Sequence, residues 1–172
     1  MACSIRTPGD CLPKIEIGGS LADWAEDAKR GFKELKINDM YDFFEKVGSD
    51  ISHFPEDVRK AIDDTSNELK RFNMNVNDFL EKSFDALRES AGSFATPEKL
   101  AKKMALQLAK TFQVNNNTGT IVACSTVVGG GLVAIGSAIQ ASTAGIPNPY
   151  ATYLISYGPA MALWGCSEAY KE

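Results

Sequence analysis

The chain has 172 residues, of which 44% are apolar and 23% charged, with a formal net charge of −4. These are the proportions of an ordinary globular protein with enough chain to bury a sizeable core. The acidic balance, with no basic patch interleaved with aromatics, excludes nucleic acid as a partner class and gives no footprint for an acidic substrate. The charge is also segregated: Thr111 to Ser167 contains no Asp, Glu, Lys, Arg or His, and only Glu168, Lys171 and Glu172 of the charged residues follow it.

Residues 1–19 carry Pro8, Gly9, Pro13, Gly18 and Gly19 and read as an N-terminal arm. They hold no apolar run of the kind that opens a conventional signal peptide. Residues 20–113 read as an amphipathic helical region. Ser20 to Asp23 is a capping-box-like start, and Leu21, Trp24, Ala28, Phe32 and Leu35 recur at helical spacing, which predicts a helix over 21–36. Asn38 or Asp39 caps a second helix over 39–52, with Met40, Phe43, Phe44, Val47 and Ile51 on one face. Pro55-Glu56-Asp57 is a favourable first turn. Val58, Ile62, Thr65, Leu69, Phe72, Val76 and Phe79 then alternate steps of four and three. That seam predicts one long bundle helix over 56–89, with a dimerising coiled coil as the alternative. Asn73, Asn75 and Asn77 weaken it locally. Thr96-Pro97-Glu98 starts a further helix over 97–113, whose Lys99, Lys102, Lys103 and Lys110 make a basic face.

Residues 114–172 read as an apolar helical hairpin with a short tail, its arms at 118–145 and 150–167 joined through Gly145-Ile146-Pro147-Asn148-Pro149. The first arm is long enough to cross a hydrocarbon core, which takes about 20 residues. Thr126, Gly130, Ala134, Ala138 and Ser142 form a stripe of small residues along it, as in closely packed transmembrane pairs. Gly129-Gly130-Gly131 costs a helix roughly 3 kcal/mol in propensity, so the arm needs strong packing or a bilayer to hold it. Its β-branched Thr120–Val128 run leaves a short strand, paired with the second arm, as an alternative. The second arm is kinked by Pro159 and carries Tyr150, Tyr153 and Tyr157 at one end and Trp164 at the other, a distribution suited to interfacial anchoring or to core filling.

Enzymatic readings find little. The glycine triplet matches a loose dinucleotide fingerprint, but no acid follows it at the required distance. His53 is the only histidine, and no Cys or second His stands at metal-ligand spacing. No cofactor, metal or small-molecule substrate is expected. Asn116-Asn117-Thr118 is a glycosylation triplet of the kind that arises by chance. Cys124 and Cys166 fall at similar distances from the turn at Pro147, so an antiparallel hairpin brings them to one level and a bridge between them is expected. Cys3 and Cys11 can close a loop within the arm; four reduced thiols are the alternative.

The layout, charged helices over 21–110 followed by an apolar hairpin at 118–145 and 150–166, resembles that of pore-forming colicin domains. The likeness is one of organisation. It implies a bundle that hides a membrane-active hairpin, although the glycine-interrupted first arm departs from the Leu/Val/Ile-rich arms of that class. The expected fold is therefore all-α, a bundle of amphipathic helices with a C-terminal apolar hairpin. The expected function is non-enzymatic: a membrane-interacting helical protein with pore formation as a candidate activity, membrane-associated or secreted without a conventional signal peptide, a cytoplasmic location remaining compatible. Its contact residues are Gly130, Ala134, Ala138, Pro147, Pro149, Tyr150, Tyr153 and Trp164, with Lys99, Lys102 and Lys103 on anionic headgroups. The alternative is a self-assembling homo-oligomer whose hairpin is a buried core or subunit interface.

Overall fold

The computed structural model describes residues 21–34, 37–49, 51–91, 96–143 and 148–171. Among these the protein is all-α: α1 (Leu21–Lys33), α2 (Met40–Val47), α3 (Glu56–Arg71), α4 (Val76–Ser90), α5 (Pro97–Asn115), α6 (Ile121–Ser142) and α7 (Pro149–Tyr170), with a single 3-10 turn at Ile51–His53. No strand occurs among the described residues, so the β-branched start of the first arm is helical. Burial decides this over propensity: Ala123, Cys124, Val127 and Val128 are all in the core. The Ser20 cap, Pro147 and the Cys3/Cys11 pair lie outside the described residues.

The expected long helix over 56–89 is two helices. The break is a Schellman end at Asn73, which takes the left-handed conformation with φ of 55°. The amide of Met74 donates to the Leu69 carbonyl (2.8 Å) and that of Asn73 to the Lys70 carbonyl (3.1 Å). Asn75 then caps α4, its side chain accepting the Asp78 amide at 3.1 Å. The heptad seam is thereby split: Val58, Ile62, Thr65 and Leu69 are buried in α3 and Phe79 in α4, against helices of the same chain. The second hairpin arm is longer than expected, 22 residues. Asn148 caps it by accepting the amides of Tyr150 and Ala151, and Pro149 takes the first helical position, where its missing N–H costs nothing.

α6 is the axis of the bundle. α2, α3, α4, α5 and α7 all pack on it, and every residue from Val127 to Ile139 is buried. The glycine triplet lies mid-helix rather than at a turn, which removes the dinucleotide reading. Successive helix residues point roughly 100° apart, so each glycine meets a different neighbour. A methyl at Gly129 would reach Pro159 of α7 at 3.4 Å. One at Gly130 would overlap Thr65 of α3 at 2.1 Å, and one at Gly131 would meet Ser83 and Phe79 of α4 at 2.9 and 3.1 Å. Three helices approach α6 at one level, and the propensity lost there is offset by close packing. The Thr65 hydroxyl, fully buried, is shared between the Ala61 carbonyl (2.7 Å) and the Thr126 carbonyl of α6 (2.8 Å).

One charged face of the protein is formed by the pair α1 and α4. Lys29 reaches Asp85 (2.8 Å) and Glu81 (3.6 Å), Lys33 reaches Glu81 (3.2 Å), and Arg88 reaches Glu26 (3.0 Å). Beneath these ion pairs Trp24 and Phe32 pack on Phe84, and Phe32 on Phe43.

Candidate functional site

α7 has two faces. Ala151, Leu154, Gly158, Ala162 and Cys166 turn inward to α6, and Gly165 abuts α5 so closely that a Cβ there would lie 2.7 Å from the Ala105 carbonyl carbon. Thr152, Ser156, Tyr157, Ala160, Leu163 and Trp164 turn outward and are exposed, with Tyr153 half-buried beside Tyr157, ring centroids 4.7 Å apart. Tyr157 is 54% exposed, Leu163 52% and Trp164 37%. From Pro149 to Ser167 this outward face carries no charge. An outward helix face on a water-facing bundle is ordinarily its most charged surface, as α1 is here. This one offers water an uncharged strip about 22 Å long from Pro149 to Trp164.

α5 runs parallel to α7 and lines one edge of the strip. The Tyr170 hydroxyl donates to the Gly119 carbonyl at 2.9 Å, fixing the two C-terminal ends together. With Ala105 against Gly165, Lys99, Lys102 and Lys103 fall at the level of Pro159 to Trp164. The Lys102 ammonium lies 5.5 Å from the centroid of the Trp164 ring and 3.2 Å from Glu98, while Lys99 and Lys103 are exposed. A cation held over an indole at the edge of an uncharged strip joins two chemistries, an aromatic one for an apolar boundary and a basic one for anions.

The expected contact residues therefore divide. Lys102 and Trp164 meet at the α5–α7 edge, while Lys99, Lys103 and Pro149 are exposed on the same two helices. Tyr150 and Tyr153 are half-buried along α7. Gly130, Ala134 and Ala138 are interior, Gly130 against Thr65 of α3, and lie away from solvent. Sequence reasoning missed Ser156, Ala160 and Leu163. Their signal was present as uncharged residues every three or four positions, but an uncharged row marks an outward face only when the inward one is known.

The hairpin is covalently closed: Cys124 and Cys166 form a disulfide with their Cα atoms 6.0 Å apart, as their levels in the two arms predict. α6 has the length and composition to cross a membrane, 22 residues with 78% of its most apolar window buried inside the bundle, and it is the one such helix among the described residues.

Other surfaces offer less chemistry. A groove of about 520 Å³ is lined by Ser49, His53, Gln140, Thr152 and Ser156, mainly hydrogen-bonding groups. A second groove, about 610 Å³, holds Tyr41, Glu45, Arg59 and Asp63, with the Tyr41 hydroxyl donating to Asp63. Among the described residues no cluster of metal-ligating side chains occurs. No family model, characterised protein or solved structure matches the chain.

Proposed function

We propose that this is a membrane-interacting helical protein that meets anionic bilayers through the outward face of α7 and the lysine edge of α5, with the α6–α7 hairpin as its membrane-active element. The observation that carries the reading is the uncharged α7 strip, with Tyr157, Leu163 and Trp164 exposed, Lys102 over the Trp164 ring, and Lys99 and Lys103 exposed on the same helix as Lys102. Trp and Tyr partition to the headgroup level with the apolar part of the ring toward the chains. Each lysine close to an anionic surface contributes about 1 kcal/mol. The three together account for about a hundredfold in partitioning.

The test is flotation of detergent-free protein with liposomes. Wild type is expected to float with anionic vesicles and less with zwitterionic ones. Lys99→Gln/Lys102→Gln/Lys103→Gln should bind anionic vesicles about a hundredfold more weakly with unchanged far-UV circular dichroism. Equal flotation of both proteins would remove the lysines from the account.

A second reading, in which the hairpin is permanent core and α7's face is covered by a second copy, is favoured by the deep burial of α6. It predicts protein that stays at the bottom of the gradient and forms a dimer or larger particle by light scattering.

A further inference from the structure

The α6–α7 pair is joined at one end by the connection 143–148 and at the other by the Cys124–Cys166 bond. The covalent ring so formed, residues 124–166, contains no Asp, Glu, Lys, Arg or His. The chain leaves this ring in both directions from the disulfide end. Lys110 and all earlier charges lie on one side of it, and Glu168, Lys171 and Glu172 on the other.

Two consequences follow for movement into a bilayer. If the connection at 143–148 leads, no formal charge crosses. If α6 crosses alone, α7 must pass to the far side with Glu168, Lys171 and Glu172, and each such charge costs about 3 kcal/mol at mid-bilayer. α6 has the length and composition for the crossing, whereas α7 does not reach the same apolarity. The tyrosine hydroxyls of α7, and the Ile155 carbonyl that Pro159 deprives of its helical donor, favour the interface.

The contact between the two helices is also of the kind that survives in lipid. A Cβ at Gly136 would meet the Leu154 Cβ at 2.9 Å, one at Gly158 the Leu132 Cβ at 3.2 Å, and one at Gly129 the Pro159 Cα at 3.4 Å. Close approach over glycines acts through packing, which a bilayer does not weaken, while the burial that holds α3 and α4 on α6 loses its driving force there.

Resting on the membrane reading above, we infer that α6 and α7 enter the bilayer as one covalently closed body, the 143–148 connection leading and the disulfide remaining near the side of approach, and that the Cys124–Cys166 bond makes α7 follow α6. Tyr157, near the middle of α7, then sits close to the bilayer centre, roughly 15 Å from either boundary.

The experiment places a tryptophan there, Tyr157→Trp with Trp24→Phe and Trp164→Phe, and measures quenching by phospholipids brominated at different depths in anionic vesicles. The disulfide-bonded protein is expected to be quenched most by the deepest bromines. Adding Cys124→Ala and Cys166→Ala should shift the maximum toward the headgroups while flotation persists. Dithiothreitol added to vesicle-bound protein should produce the same shift, without requiring the double variant to fold. Deep quenching in both forms would overturn the role of the bond. Shallow quenching in both would overturn insertion and leave surface binding standing. Failure of the disulfide-bonded protein to float would overturn this inference together with the membrane reading.

Discussion

Replacing Gly130 by alanine tests the packing around α6, because the expected sign is opposite to that of the same change one residue earlier. By helix propensity each substitution should stabilise by about 1 kcal/mol. At Gly129 the added methyl meets Pro159 and Ala162 at 3.4 and 3.6 Å, ordinary contact, so Gly129→Ala should be neutral or stabilising by up to about 1 kcal/mol. At Gly130 the methyl would lie 2.1, 2.3 and 2.6 Å from the Oγ1, Cγ2 and Cβ of Thr65. No rotamer of Thr65 relieves the contact with its Cβ, so α3 must move off α6 and the shared hydroxyl bond to Thr126 is lost. Overpacking of this kind costs about 1–3 kcal/mol and the bond about 1 kcal/mol. Against the propensity gain, Gly130→Ala should destabilise by about 1–3 kcal/mol. Urea denaturation followed by far-UV circular dichroism reads both variants. Thr65→Ala in the Gly130→Ala background should recover part of the loss, since it removes two of the three overlapping atoms. Shifts of the same sign for Gly129→Ala and Gly130→Ala, or no recovery with Thr65→Ala, would refute the three-sided packing.

Other regions give independent expectations. Breaking Cys124–Cys166, which links residues 42 apart in sequence, should lower stability by about 4 kcal/mol through the loop entropy it releases; an unchanged denaturation midpoint for Cys124→Ala/Cys166→Ala would show that packing alone holds the arms. Asn75→Ala should cost about 1 kcal/mol by leaving an α4 amide uncapped, whereas Asn73→Gly should be tolerated because the position is left-handed; equal losses for the two would argue against the break between α3 and α4. The Lys29 ammonium is held above its ordinary value of 10.5, chiefly by its hydrogen bond to Asp85, with burial opposing and the charges of Asp85 and Glu81 adding. A raised folded pKa means that the contribution is complete below 10.5 and is lost as pH rises through the folded value. The stability difference between wild type and Lys29→Met should therefore hold at neutral pH and shrink in strong alkali; a difference that is flat across that range would contradict the coupling.

Much of the fold was legible in the sequence because charge segregation and helical periodicity both report burial. The apolar arms, a cap at Asn38 or Asp39, the start at Thr96-Pro97 and the level match of Cys124 with Cys166 all follow from spacing. The split of the long helix did not, because its apolar seam continues through Phe72 and Val76 and the left-handed turn at Asn73 is a local backbone choice that periodicity does not register. The glycine triplet was legible as a demand for packing. Which helix each glycine meets depends on the arrangement of α3, α4 and α7 around α6, which no local pattern encodes. The stripe of Gly130, Ala134 and Ala138 reads as a close-packing surface, and its packing partners lie within the chain, Gly130 meeting Thr65 of α3. The uncharged row on α7 read as part of an apolar arm, and it is the face exposed to water.

The most direct measurement of the central claim is the fluorescence of Trp164 in Trp24→Phe protein as vesicles are added. The account predicts a blue shift and loss of accessibility to an aqueous quencher with anionic vesicles, reduced by raised salt before insertion and much weaker with zwitterionic ones. An emission spectrum and quenching unchanged by anionic vesicles at low salt would contradict it, because the face proposed to meet the bilayer would still be in water.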